Sequence, residues 1–139
     1  MASLENIVKR FQGADRATRL ELLLDFADRL PPLPEKYREA VAQGVNRVHE
    51  CQTPVYLFME PVNGGVQIHA DVPREAPTVR GFLSMLIKGL NGLKPEEVAA
   101  LPNDLLDRLQ LTDALGMTRM QGLSAVVQRL KAMASRLAP

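Results

Sequence analysis

The sequence predicts an α+β fold, a small antiparallel sheet with helices packed around it, and three observations carry that expectation. Apolar residues recur at helical spacing through the first third of the chain and again after Pro77. Between these stretches lies a short run of strand formers from Pro54 to Glu60, then Asn63-Gly64-Gly65, then strict alternation. No repeat, linker or low-complexity segment divides the 139 residues, so residues 1–139 are expected to form one domain around one core.

Each element follows from local pattern. Leu4, Ile7, Val8 and Phe11 keep a helical period, with Ser3 placed to cap the start. A second helix begins near Asp15 and carries Leu20, Leu23, Leu24, Ala27 and Leu30 on one face. Pro31, Pro32 and Pro34 end it, because proline lacks an amide hydrogen and clashes with the preceding turn. Glu35 to Gly44 reads as a polar connection with at most a helical turn. Asn63 and Gly64 both tolerate positive φ, the signature of a tight hairpin turn. After it Val66, Ile68 and Ala70 alternate with Gln67, His69 and Asp71, as on a half-buried strand. Asn46 to Val48 is a candidate third strand, and Pro61 points to a sheet edge.

Beyond Pro77, Val79, Phe82, Leu83, Leu86, Ile87 and Leu90 form a broad apolar stripe. Pro95-Glu96-Glu97 opens a short helix with acids where the dipole favours them. Asn103 is placed to cap another, carrying Leu105, Leu106 and Leu109. The last helix starts at Thr118, whose spacing to Gln121 fits a capping box, and its core face is Met120, Leu123, Val127, Leu130, Ala134 and Leu137.

Composition narrows the function. A formal net charge of +1 gives no basic field for nucleic acid, and aromatics at 4% leave few stacking platforms. No stretch approaches the roughly 20 apolar residues a membrane span needs. Residues 1–11 lack the long apolar core of a secretory signal. One cysteine excludes an internal disulfide, so a reducing cytoplasm is the expected setting.

That cysteine, Cys51, is the leading candidate for chemistry. It lies outside every apolar stripe, flanked by His49, Glu50, Gln52 and Thr53, of which His49, Glu50 and Gln52 are read as its loop support. Pro54 restricts the backbone that follows. A buried structural thiol is the bland alternative. One Cys and two His are too few for structural zinc, so no metal is expected. A cysteine-protease arrangement would need His69 to reach the thiol, and no oxyanion hole is legible. Arg119, in the first turn of the last helix, is a candidate anion or partner contact, against its reading as a solvated surface cation.

The segment from Asn46 through Cys51 to Tyr56 resembles the cysteine loop of the SufE family, sulfur acceptors for cysteine desulfurases in iron–sulfur cluster assembly. The similarity continues through Val79-Arg80-Gly81-Phe82-Leu83, Leu93 to Val98, and Thr118-Arg119-Met120-Gln121-Gly122-Leu123. The resemblance implies a SufE/NifU-like fold and a Cys51 that takes sulfane sulfur from a pyridoxal-phosphate-dependent, SufS-like desulfurase. It further implies delivery of that persulfide to a SufB-like scaffold, with Arg119 at the desulfurase interface. No cofactor of its own is implied, and a homodimer stays open. The chain departs from the family pattern at Glu50, where glycine is usual, at Tyr56, where tryptophan is common, and in the Gly116-Met117-Thr118 lead into Arg119. Val72 to Pro77 also follows a different, slightly longer pattern. A carboxylate beside the thiol raises its pKa, so Glu50 makes Cys51 a poor thiolate on its own. The rival reading is a non-catalytic adaptor that regulates a desulfurase or scaffold, and a redox sensor ranks last because no second cysteine exists to resolve it.

Overall fold

A computed structural model describes residues 2–138. Helix α1 spans Ala2–Gln12 and α2 spans Arg16–Asp28. Asp15 caps α2, its carboxylate accepting from the Thr18 amide at 2.8 Å. Ser3 lies inside α1 and is therefore not its cap. The buried face of α2 is Leu23, Phe26 and Ala27, whereas Leu20 and Leu24 stay 38% and 39% exposed. The expected stripe was thus rotated: Phe26, with more surface to bury than either leucine, sets the inward face.

The proline strap 31–34 leads through a 3₁₀ turn at Glu35–Tyr37 into the short helix α3, Arg38–Ala42. Strands β1 (Tyr56–Val62) and β2 (Gly65–Asp71) pair antiparallel with Phe58 opposite His69. Asn63 and Gly64 turn the hairpin at φ of 53° and 82°. Residues 46–48 do not form a third strand. A single bridge joins Arg47 to Tyr56, because the chain leaves the sheet at once to build the cysteine loop. Pro61 sits in a two-stranded sheet, where every strand is an edge and a missing amide costs no pairing.

Helix α4 (Pro77–Leu90) is the centre of the molecule, buried on nearly all sides, with Phe82, Leu83, Met85, Leu86 and Leu90 fully enclosed. Each such side chain contributes about 1.5–3 kcal/mol relative to exposure. Helices α1 and α2 pack on α4 and the hairpin lies against it. The α2 crossing is so close that a Cβ on Gly81 would stand 2.0 Å from the Leu23 carbonyl oxygen.

Short helices α5 (Pro95–Ala99), α6 (Leu105–Leu109) and α7 (Thr112–Leu115) lead to the long α8, Met117–Leu137. The sequence pattern did not foreshadow α7. Asn103 does not cap α6; its side chain accepts from Lys131 Nζ at 2.9 Å. Nor does Thr118 cap α8, which begins one residue earlier, after Gly116 at φ 80°. A backbone in that region turns the chain directly into the helix, so a side-chain cap has no place to act. The α8 core face is as expected at Met120, Leu123, Val127, Leu130 and Ala134. No helix among the described residues is long and apolar enough to cross a membrane.

Candidate functional site

Cys51 lies in a loop whose two ends are fastened together. The Val48 amide donates to the Val55 carbonyl at 2.8 Å, and both valines are fully buried. Within the loop the Cys51 amide donates to the Val48 carbonyl at 3.2 Å, closing a tight turn. Upstream, Asn46 at φ 67° donates from Nδ2 to the Leu57 carbonyl at 2.8 Å, which ties the loop's entrance to β1. The loop is thus held by main-chain bonds and two apolar anchors. His49, Glu50 and Gln52, expected to support it, are all exposed, and they make none of the side-chain hydrogen bonds among the described residues. Glu50 is not in the left-handed region, so this loop does not require a glycine there.

The thiol itself is turned inward. Cys51 is 5% exposed and packs onto α8 where Gly122 has no side chain. A Cβ at Gly122 would lie 3.0 Å from Sγ and 3.2 Å from the Cys51 Cα. Gly122 is therefore the seat of the cysteine, a role that only the three-dimensional packing reveals. Beside it is a cavity of about 100 Å³ lined by Cys51, Gln52, Thr53, Val79, Thr118, Arg119 and Gly122. The fold thus brings Arg119 to the same small chamber as the thiol, which spacing in the sequence could not establish. The Arg119 guanidinium donates from Nη1 to Thr78 Oγ1 at 2.7 Å, so the start of α4 orients it.

Burial pushes the Cys51 thiol up from its ordinary pKa, and the Glu50 carboxylate adds to the shift in the same direction. At rest the site holds a neutral thiol. His69 does not line the cysteine cavity. It belongs to a cluster on the hairpin with Glu60, whose Oε1 is 3.7 Å from Nε2, and with the tilted ring of Tyr37. There Glu60 also accepts from Lys36 Nζ at 2.6 Å and from the Tyr37 hydroxyl. A His–Cys pair for protease chemistry is therefore not assembled. Among the described residues no three His, Cys, Asp or Glu side chains converge as a metal site.

Comparison with known proteins matches the chain, over residues 5–134, to the family model described as SufE, Fe-S metabolism associated domain. An uncharacterized SufE-like protein of Mycobacterium tuberculosis is 35% identical over 131 residues, 94% of this chain and 90% of that protein. A second, from Synechocystis, is 32% identical over 133 residues, 95% of this chain and 80% of its own length. The solution structure of a hypothetical protein from Thermus thermophilus superposes with a TM-score of 0.82 at 33% identity, covering 96% of this chain and 94% of that one.

Proposed function

The chain belongs to the SufE family of iron–sulfur metabolism, and on that premise we propose that it carries persulfide sulfur on Cys51 between a pyridoxal-phosphate cysteine desulfurase and a cluster scaffold. The observation that carries this reading is the sole cysteine on a fastened loop, seated on Gly122 beside a chamber it shares with Arg119.

The reaction asks little of the protein. Cys51 loses its proton and its thiolate attacks the outer sulfur of the donor's persulfide. The donor's sulfur–sulfur bond breaks, a new one forms to Sγ, and the donor cysteine leaves as a thiolate that takes up a proton. One sulfane sulfur moves and nothing is oxidised overall, as in thiol–disulfide exchange. An inward-facing thiol with a raised pKa reacts slowly by itself. The loop therefore swings out into the donor's pocket, where deprotonation occurs, and returns to shelter the loaded sulfur from water and stray thiols. The cavity of about 100 Å³ leaves room for one more sulfur atom beside Sγ. Arg119, held by Thr78 and lining the same cavity, supports this reading as the cation that would pair with a hydropersulfide anion or a partner carboxylate.

The adaptor alternative is separated by Cys51→Ser. A carrier loses its stimulation of the desulfurase in that variant while still binding it. Undiminished stimulation by Cys51→Ser would leave the adaptor reading standing and remove the carrier.

A further inference from the structure

An arginine-lined concavity adjoins the cysteine loop at Pro54. It is a cavity of about 390 Å³ walled by the proline strap at Pro31 and Pro32, by Pro54 of the cysteine loop, and by the segment 70–74. Three guanidinium groups line it, those of Arg38, Arg74 and Arg80, against the single carboxylate of Asp71. They come from three separate parts of the fold: α3, the loop after β2, and the first turn of α4. None of the ion pairs among the described residues joins any of them to Asp71. Arg38 is paired only to the exposed Glu35, a surface contact worth little. Arg80 is held in place by donation from Nη1 to the Val72 carbonyl at 2.6 Å, and its other donors make none of the side-chain hydrogen bonds among the described residues. Arg74 makes none of the side-chain hydrogen bonds among the described residues. The cavity therefore concentrates positive charge on a chain whose net charge is only +1.

Its position decides the occupant. Pro54 is three residues from Cys51, hence at most about 11 Å away along an extended chain. A protein that engages Cys51 through a standard interface covers about 800 Å² on this chain, a disc about 16 Å in radius. Pro54, which lines the arginine cavity, falls inside that footprint. We propose that this cavity receives acidic side chains of the protein that donates sulfur to Cys51. This rests on the carrier reading and adds to it a charge-selective dock lined by residues other than those of the Cys51–Arg119 cavity. Docking there contacts Pro54 and the end of β2, next to the cysteine loop.

The test measures association of the whole protein with the cysteine desulfurase that it stimulates, at low and at high ionic strength. The variants are Arg74→Glu, the pair Arg38→Glu and Arg74→Glu, and Arg10→Glu, an equal change of charge on the exposed face of α1. The expected result for Arg74→Glu is a loss of about tenfold in affinity at low salt, mostly in the association rate and narrowing at high salt. The double variant should lose more, and Arg10→Glu should stay within about twofold of the unaltered protein. Arg74→Glu should leave the rate of Cys51 alkylation unchanged. Equal binding by Arg74→Glu and Arg10→Glu overturns the proposal, and so does an altered alkylation rate, which would mean that Arg74 acts on the loop rather than on the partner. Arginine-dependent binding without sulfur appearing on Cys51 would instead sink the carrier reading and leave the dock intact.

Discussion

Gly81 and Gly122 each leave room for a neighbour, yet the neighbours differ in kind. At Gly81 the space is filled by main chain of α2: an added Cβ would meet the Leu23 carbonyl oxygen at 2.0 Å and its carbon at 2.7 Å. Two packed helices cannot part locally there, so the crossing is a rigid joint. At Gly122 the contacts are looser, the Cys51 sulfur at 3.0 Å and its Cα at 3.2 Å, and they are carried on a short loop rather than a helix. The same residue type thus builds a fixed frame in one place and a yielding seat in the other. A sulfur carrier needs both, a frame that keeps its shape and a thiol that can leave its seat.

The largest effect expected from breaking this contrast is at the frame. Gly81→Ala should cost about 3 kcal/mol or more of stability, because a backbone clash has no cheap relief. Denaturant unfolding measures it, and a midpoint near that of the unaltered protein would mean the crossing is not rigid. At the seat, Gly122→Ala should cost only about 1 kcal/mol. It should raise the rate at which iodoacetamide alkylates Cys51 about fivefold, since the loop is biased outward. A large loss of stability with no gain in alkylation would show that the loop is frame as well.

Much of this architecture was legible in the sequence, for reasons that can be named. The hairpin follows from Asn63 and Gly64, which supply the positive φ that its turn requires. Helices α1, α4 and α8 follow from apolar periods that are locally complete. The face of α2 differs from the one its sequence suggests because leucines at 20 and 24 fit a helical stripe, and only packing against α4 selects Phe26 over them. Caps at Asn103 and Thr118 failed because a nearby lysine and a left-handed glycine settled those ends by other means. For the site, the loop position of Cys51 was visible, but its proximity to Arg119 depends on α8 lying beneath the loop. Gly122 stood inside a recognisable motif without a role until the thiol was found resting on it.

Electrostatics sharpen the same contrast on a smaller scale. Glu60 is an anion made comfortable: hydrogen bonds from Lys36 and then Tyr37 hold its carboxyl down from 4.5 to about 2. Its lowered pKa stabilises the fold above pH 4.5, and that contribution is lost as pH falls from 4.5 toward 2. Glu60→Gln should therefore destabilise the protein near neutrality, with the difference from the unaltered chain vanishing in acid. A difference that persists at pH 2 would contradict the assignment. Cys51 receives the opposite treatment, since burial and then Glu50 both disfavour its thiolate. A raised pKa favours the folded state while the thiol is neutral, and that advantage is lost as pH rises through the thiol range. The smallest effect expected is for Glu50→Gln, which removes the lesser of the two causes and should speed alkylation of Cys51 about twofold. No change would assign the slow thiol to burial alone.

Whether Cys51 carries sulfur is tested most directly by incubating the protein with a cysteine desulfurase and cysteine and measuring the mass of the Cys51 peptide. If Cys51 is the carrier, that peptide gains one sulfur atom, removable by reductant and absent from Cys51→Ser. A peptide of unaltered mass, from a protein that still stimulates the desulfurase, would contradict it.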